Sequence, residues 1–502
     1  MTFKSILNIS ENNLPDPEYR IFYTDFNLDQ IIDRICADWP DIKKEFYRFP
    51  VDKDCESYRR EVLNDMKNSN IRELFITFLR EMKEWEKAKE TKESVTEDAQ
   101  RNTWLLMETG HYIDSLEHLY NNLSAYVLSS RGLKAFLTFL EEYLNSAPYL
   151  DMKQEMNRIR TTLKDMRFRI TYDKDRFIIS EEEQKANYSG YLNKVFPTNT
   201  GEFKNPFSGN PNWKELEYEI YILIKKKYPD IFKDINSFYK KYKDYCLSEV
   251  ILFKKEIGYY LAFLEFRDKM TAGNFNFTSP DCDEEAPIFA DGLYDLALAC
   301  NYMYEDKEVV ANDMALHPGE SFIVVTGPNQ GGKTTFARSL GQLVYFCKMG
   351  LDVPAKKCNM HYFKNILSHF SVEESIESGK GKLKEELVRL KPMMKENCDN
   401  AFVVINELFT TAANYDACIM GTNVIKHFLE HNCCGIYVTH LYELASVDNK
   451  IVSMKAMLNE NNKQTFHIER SEAVEYAFAD NQVNKYQLRY EQIVKRFQER
   501  EQ

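Results

Sequence analysis

Apolar residues in the first half of the chain recur every three or four positions. Leu74, Phe75, Phe78, Leu79, Met82 and Trp85 form one series, and Phe136, Leu137, Leu140, Tyr143 and Leu144 another. That spacing puts each series on one face of a helix. Amphipathic segments at 98–128, 152–168, 213–227 and 231–268 extend the pattern, so residues 1–270 are expected to form an elongated helical domain. One stretch breaks it. Phe168-Arg169-Ile170-Thr171-Tyr172 and Arg176-Phe177-Ile178-Ile179 flank Asp173-Lys174-Asp175, which predicts a β-hairpin among the helices. Pro197, Gly201, Pro206, Gly209 and Pro211 then make 195–212 a loop, so the insert covers 168–212.

Residues 271–287, with Gly273, Pro280 and the acidic run Asp281 to Glu285, are expected to link two domains. From 288 to 470 the pattern becomes one of strands alternating with helices. Short β-branched runs at 322–325, 402–405 and 436–438 are bounded by polar residues, as buried parallel strands are. The stretch 451–469 alternates around Asn459-Glu460-Asn461-Asn462 and predicts an antiparallel pair. A terminal segment, 471–502, has a helix–turn–helix pattern with Ile493, Val494 and Phe497 on one face.

The strand at 322–325 runs into Gly327-Pro328-Asn329-Gln330-Gly331-Gly332-Lys333-Thr334-Thr335, which leads into a helical pattern. Strand, glycine-rich loop and helix make a nucleotide-binding P-loop. The glycines let backbone N–H groups turn toward phosphate oxygens, and the helix N-terminus adds its positive dipole end. Lys333 then reaches the terminal phosphates of a nucleoside triphosphate, and the Thr334 hydroxyl is placed for Mg²⁺. A second strand, Phe402-Val403-Val404-Ile405-Asn406-Glu407, ends in the residues that complete such a site. Glu407 is the candidate base. Asn406 stands where an aspartate is usual, and its amide oxygen can accept from Mg²⁺-bound water without supplying charge. A third strand ends at Thr439-His440, where the strand edge of an open α/β sheet faces the ligand crevice. His440 is therefore either a γ-phosphate contact or a cap on the following helix.

Composition narrows the partners. Against 65 Lys and Arg stand 78 Asp and Glu, a net charge of −13, which excludes a uniformly basic nucleic-acid-coating surface. Two local basic stretches remain: Arg158, Arg160, Lys164, Arg167 and Arg169, and Lys225, Lys226 and Lys227 with Lys240, Lys241 and Lys243. Each either faces DNA phosphates without reading bases or is the wet face of its helices. Eleven cysteines without metal-ligand spacing are expected to be reduced thiols of a cytoplasmic protein. No apolar signal core follows Met1, and no run is long enough to span a membrane.

The P-loop, Val353-Pro354-Ala355, Asn406-Glu407, Tyr415-Asp416 and Thr439-His440-Leu441-Tyr442-Glu443-Leu444 together resemble the ATPase domain of the MutS DNA mismatch repair family, in order and spacing. The resemblance implies an elongated helical core and lever domain. An ABC-type P-loop ATPase domain with a mixed, mainly parallel sheet follows it. It implies a homodimer that sandwiches ATP and Mg²⁺, with Lys333 and Thr334 on phosphate and metal, Glu407 as base and His440 as γ-phosphate sensor. Asn329 would contact the phosphates or the opposing subunit, and 471–502 would aid dimerisation or pack on the ATPase domain. The element contributed to the partner's site falls at Ser378 to Leu387, with Gly379, Gly381 and Lys382 at its centre. The family has a hydroxyl residue where this chain has Gly381; Lys382 is either a cationic substitute or a solvated helix cap.

Other departures bear on biology. The chain is expected to lack the family's mismatch-reading and connector domains, and the 168–212 insert is too small for a full DNA clamp. Val309 takes the place of the aromatic that stacks on adenine, so the base contact is either weaker or supplied by another residue such as Tyr294 or Tyr302. Phe409-Thr410-Thr411-Ala412-Ala413 replaces the family's glycine-rich turn. Two functions fit: a slow Mg²⁺-dependent ATPase that moves helical arms, on DNA through backbone contacts without mismatch reading, or an ATP-gated dimerising interaction protein with negligible hydrolysis.

Overall fold

The computed structural model describes residues 3–9, 20–166, 168–173, 176–181, 220–303, 305, 307–371, 381–395, 398–461, 463–472 and 489. In chain order come α1 (Phe22–Asp25), α2 (Leu28–Ile35), α3 (Lys53–Met66) and four long helices, α4 (Ser69–Ser94), α5 (Asp98–Leu123), α6 (Arg131–Leu144) and α7 (Ala147–Asp165). The hairpin β1 (Phe168–Asp173) and β2 (Arg176–Glu181) follows, in antiparallel register from Phe168 opposite Glu181 to Asp173 opposite Arg176. Helices α8 (Pro229–Tyr242) and α9 (Ser248–Ala272) precede the region of alternating strands and helices. The loop 195–212 and the terminal pair at 473–488 and 490–502 lie outside the described residues.

Contacts divide the chain into two compact units. One comprises Met1–Phe3, Asn70–Val127 and Ala135–Val250; the other comprises Lys4–Ser69, Leu128–Lys134 and Ile251–Gln502. In the first unit the helical periodicity finds its core. Phe75, Phe78, Met82 and Trp85 are buried, as are Phe136 and Leu140. A buried polar chain runs beside them: Trp85 Nε1 donates to the Tyr245 hydroxyl at 2.7 Å, which donates to Glu108 Oε1 at 3.0 Å. Lys92 pairs with the same carboxylate at 2.7 Å, so the buried charge is compensated.

The second unit differs from the single helical domain expected over 1–270, because residues 4–69 pack with the sheet-bearing part of the chain. Short hydrogen bonds account for this. Arg60 Nη2 donates to Cys347 O at 3.0 Å, and Tyr345 OH to Phe46 O at 2.7 Å. Gln342 Nε2 donates to Phe26 O at 2.9 Å, and at neighbouring Gly341 a Cβ would stand 2.6 Å from the Phe26 ring. The segment 271–287 is likewise no free linker: Thr278 N donates to Val353 O at 3.1 Å, and Asp281 N to Cys358 O at 2.8 Å.

In this unit β3 (Ile288–Leu293), β4 (Asn312–Leu316) and β6 (Lys357–Asn359) form a small antiparallel sheet in the order β4-β3-β6, with α10 (Leu296–Tyr302) between β3 and β4. The main sheet takes β5 (Phe322–Thr326), β7 (Asn365–Phe370), β8 (Ala401–Asn406), β9 (Cys434–Val438), β10 (Ile451–Leu458) and β11 (Gln464–Arg470). Its order is β11-β10-β5-β9-β8-β7, parallel throughout except for β11. The expected strands at 322–325, 402–405 and 436–438 are its centre, every residue of β5 and β8 being buried. Helices α11 (Lys333–Lys348), α12 (Lys382–Lys395) and α13 (Asn414–Glu430) connect them.

All eleven cysteines are free thiols. Cys398, His427 and His431 converge, but the imidazoles are engaged locally, His427 Nε2 with Met394 O at 3.1 Å and His431 Nδ1 with His427 O at 2.8 Å. No described helix is long and apolar enough to cross a membrane.

One buried acid makes stability depend on pH. Glu256 accepts from Ser5 Oγ at 2.6 Å and Ile6 N at 2.8 Å, and burial pushes its carboxyl up to about 7. A raised carboxyl pKa means the folded state keeps a proton that the unfolded chain releases. Stability from this group is therefore full below the unfolded value and falls as pH rises toward 7, by about 3 kcal/mol in all. Glu256→Gln does not ionise, and its amide oxygen can accept from Ile6 N while its NH2 donates to Ser5 Oγ. Its urea midpoint, compared with wild type between pH 5 and 8, is expected to lose this downward slope.

Candidate nucleotide site

Strand register brings the chemistry to one edge. Val325 on β5 stands opposite Val438 on β9, and Val438 opposite Asn406 on β8. The three strands therefore end level, and each delivers its next residues to the same place: the P-loop, Glu407 and Thr439-His440. Two backbone bonds seal the edge, Thr439 N to Val325 O at 3.0 Å and Glu407 N to Val438 O at 2.9 Å.

The P-loop itself is shaped by close approach. Gly327 has φ 125°, and a Cβ there would lie 2.9 Å from the Ala456 Cβ on β10. Such a backbone is available to glycine alone without strain. Lys333 opens α11 and is 4% exposed. Its Nζ donates to Gly327 O at 2.8 Å and Pro328 O at 2.9 Å. Burial holds the ammonium below the ordinary lysine range, with the Glu407 charge acting against that. A desolvated cation at a helix N-terminus is what a polyphosphate would neutralise.

Thr334 Oγ1 donates to Asn406 Oδ1 at 3.0 Å. The two residues singled out for Mg²⁺ are thus in contact between the start of α11 and the end of β8. Both offer hard, neutral oxygens, a donor set that suits Mg²⁺ carrying its own waters and phosphate oxygens. Glu407 Oε1 lies 3.1 Å from His440 Nε2, so the candidate base and the candidate sensor form one hydrogen-bonded pair. With Glu407 ionised, the imidazole N–H donates and fixes the carboxylate's direction. Glu407 has φ 53° and Phe409 φ 64°. Each left-handed residue without glycine costs about 1–3 kcal/mol and persists only where its surroundings hold it.

A cavity of about 570 Å³ opens at this edge, a size suited to a nucleotide. Asn329 to Thr335 and Glu407 line its phosphate end, and Tyr294, Tyr302, Val310 and Phe466 its apolar part. Gly327 and Pro328 contribute through their carbonyls, Asn406 through Thr334, and His440 through Glu407. Val310, not Val309, lines the cavity. Of the two tyrosines proposed for the base, Tyr294 is buried and spends its hydroxyl on Asn276 O at 3.1 Å. Tyr302 carries the Lys307 ammonium 5.0 Å over its ring.

Phe466 and Asn312 were not legible as site residues. The β10–β11 register shifts between Ala456 and Leu458, and Phe466 follows on β11 with φ 62° and its side chain 46% exposed beside Gly332. Asn312 grips the strand there, Nδ2 donating to Phe466 O at 3.2 Å and Oδ1 accepting from Ile468 N at 2.7 Å. A strained, exposed aromatic held over a polar loop is a ready stacking surface. Gln464 Nε2 also donates to Asn329 O at 2.9 Å, tying β11 to the P-loop.

The remaining expected residues lie elsewhere. Gly379 falls outside the described residues; Gly381 is exposed with open space around it and does not line the cavity; Lys382 begins α12. Of the basic stretches, Arg158 pairs with Asp234 at 2.8 Å, Arg160 with Asp114 at 3.4 Å and Lys241 with Glu155 at 3.3 Å. Arg167 is outside the described residues, while Lys226, Lys240 and Lys243 are exposed.

Comparison with known proteins fits this geometry. Residues 323–493 match the family model of MutS domain V. The chain is 24% identical over 244 residues to DNA mismatch repair protein MSH3 of Vanderwaltozyma polyspora, covering 48% of this chain and 23% of that protein. It is 24% identical over 240 residues to DNA mismatch repair protein MutS of Thermus aquaticus (47% of this chain, 28% of the relative). With MutS of Clostridium perfringens it shares 23% identity over 285 residues (54% and 30%). The matched span is thus less than a third of each relative's length. The P-loop, Asn406-Glu407, His440 and Phe466 all fall within residues 323–493, the part of the chain that matches MutS domain V.

Proposed function

We propose that the chain binds ATP with Mg²⁺ in this cavity and hydrolyses it slowly, as a homodimer whose two copies close over the nucleotide. One observation carries the reading: β5, β8 and β9 end in register and set Lys333 and Glu407 on one cavity, with His440 hydrogen-bonded to Glu407 behind it. The P-loop amides and the N-terminus of α11 would hold the phosphates. Lys333 exchanges its two carbonyl partners for phosphate oxygens. Glu407, oriented by His440, takes the proton of the attacking water, and inline displacement follows from positioning. Mg²⁺, held by Thr334 and through water by Asn406, supplies charge neutralisation when bound. Steady-state phosphate release from Mg-ATP, wild type against Lys333→Ala, is the test; equal rates overturn the reading.

Phe466 would supply the aromatic face for the base. Phe466→Ala is expected to weaken ATP binding about ten-fold, since a stacked aromatic contributes roughly 1–3 kcal/mol. Titration with ATP and with inorganic tripolyphosphate checks this, because only the base-bearing ligand should lose affinity.

The relatives are named for DNA mismatch repair, and DNA is proposed as a partner through backbone phosphates alone. Lys226, Lys240 and Lys243 are the better contacts, since Arg158 and Arg160 already face acids. A second reading, an ATP-gated dimer with negligible turnover, is favoured by the neutral Asn406 beside Thr334. ATP-dependent dimerisation without phosphate release would select it.

A further inference from the structure

The turn after β8 carries the candidate base without any glycine between Asn406 and Ala413. Glu407 and Phe409 both adopt positive φ, 53° and 64°, so the turn needs anchors. On one side Glu407 N is held by Val438 O at 2.9 Å. On the other, Phe409 N donates to Glu386 Oε2 at 3.1 Å. Glu386 sits near the start of α12 and is 1% exposed. Leu408 and Phe409, 3% and 1% exposed, pack their side chains into the core that the sheet shares with α12 and α13. The buried carboxylate is favoured by the amide it accepts from. It therefore joins α12 to the backbone two residues beyond Glu407.

We infer that Glu386 is a positioning residue for the ATPase reaction. Its carboxylate takes over the role that conformationally free residues would play in the turn, and so aims Glu407 at the attacking water. The inference rests on the proposed ATPase reading and deepens it, because it ties the geometry of the base to the seating of α12.

Two substitutions separate geometry from charge. Glu386→Gln keeps an oxygen acceptor for Phe409 N–H; Glu386→Met removes it at similar length. With the full chain, the Gln variant is expected to keep kcat within about three-fold of wild type. The Met variant is expected to lose about ten-fold or more in kcat with ATP affinity nearly unchanged, as displacement of a catalytic group costs rate and not ground-state binding. Hydrogen exchange of the peptide spanning 407–413 should quicken in the Met variant, while the β5 peptide stays protected. Wild-type kcat in the Met variant overturns the inference, and so does an equal loss in the Gln variant. If wild type turns over no faster than Lys333→Ala, the ATPase reading fails, and unchanged exchange at 407–413 would show that the anchor fails too.

Discussion

Glu407→Gln is expected to lower ATP turnover by roughly 10²–10³-fold while leaving ATP affinity within about three-fold, the range general-base loss produces. The substitution is close to isosteric. Gln keeps an oxygen for His440 Nε2, now 3.1 Å from Glu407 Oε1, so the pair and the turn behind it should persist. What disappears is a group able to take a proton from water. Because the P-loop, Lys333 and Thr334 are untouched, binding should survive, and the variant should accumulate in its ATP-bound state. Single-turnover phosphate release and nucleotide titration on the same preparation separate the two effects. A variant that hydrolyses ATP at the wild-type rate would remove Glu407 from the mechanism.

The same residues show why part of this site could be read from the chain and part could not. Glu407 and His440 each stand just past the end of a buried apolar run, and Lys333 closes the glycine-rich loop that follows another, so identifying the strand locates the residue. Parallel strands ending level then bring those three together, whatever lies between them in sequence. Phe466 obeys no such rule. Its place depends on a register shift between β10 and β11, and alternation along 464–470 does not reveal that Phe466 faces the P-loop. Glu386 is one acid among several at the start of an amphipathic helix, and only tertiary packing sets it against Phe409 N.

The fold divides along similar lines. Helical periodicity in 1–270 identifies which faces are buried, but not what buries them. Residues 4–69 join the sheet-bearing unit because Phe26 and Phe46 offer backbone carbonyls to Gln342 and Tyr345. Glycine, proline and acidic residues at 271–287 read as a linker, although Thr278 and Asp281 are paired with Val353 and Cys358. Local composition speaks to flexibility; pairing partners far along the chain decide the outcome.

Lys333→Ala should raise the ATP dissociation constant by about 10²-fold or more, since two charge-assisted hydrogen bonds to phosphate contribute roughly 1.5–3 kcal/mol each. The effect on the ligand-free protein should run the other way. Lys333 is 4% exposed, and burial depresses its ammonium, so the folded state bears a desolvation cost that alanine removes. Part of that gain is offset by the carbonyls of Gly327 and Pro328, which lose their donor. The apo melting temperature is therefore expected to stay level or rise slightly. Wild type at an ATP concentration of about 100 Kd should gain roughly 2.7 kcal/mol from ligand linkage, and the variant at the same concentration well under half of that. Thermal melts with and without Mg-ATP read both signs together. An apo variant that melts far below wild type would mean Lys333 holds the loop together more than it serves the phosphates, and the loss of binding would then be a loss of fold.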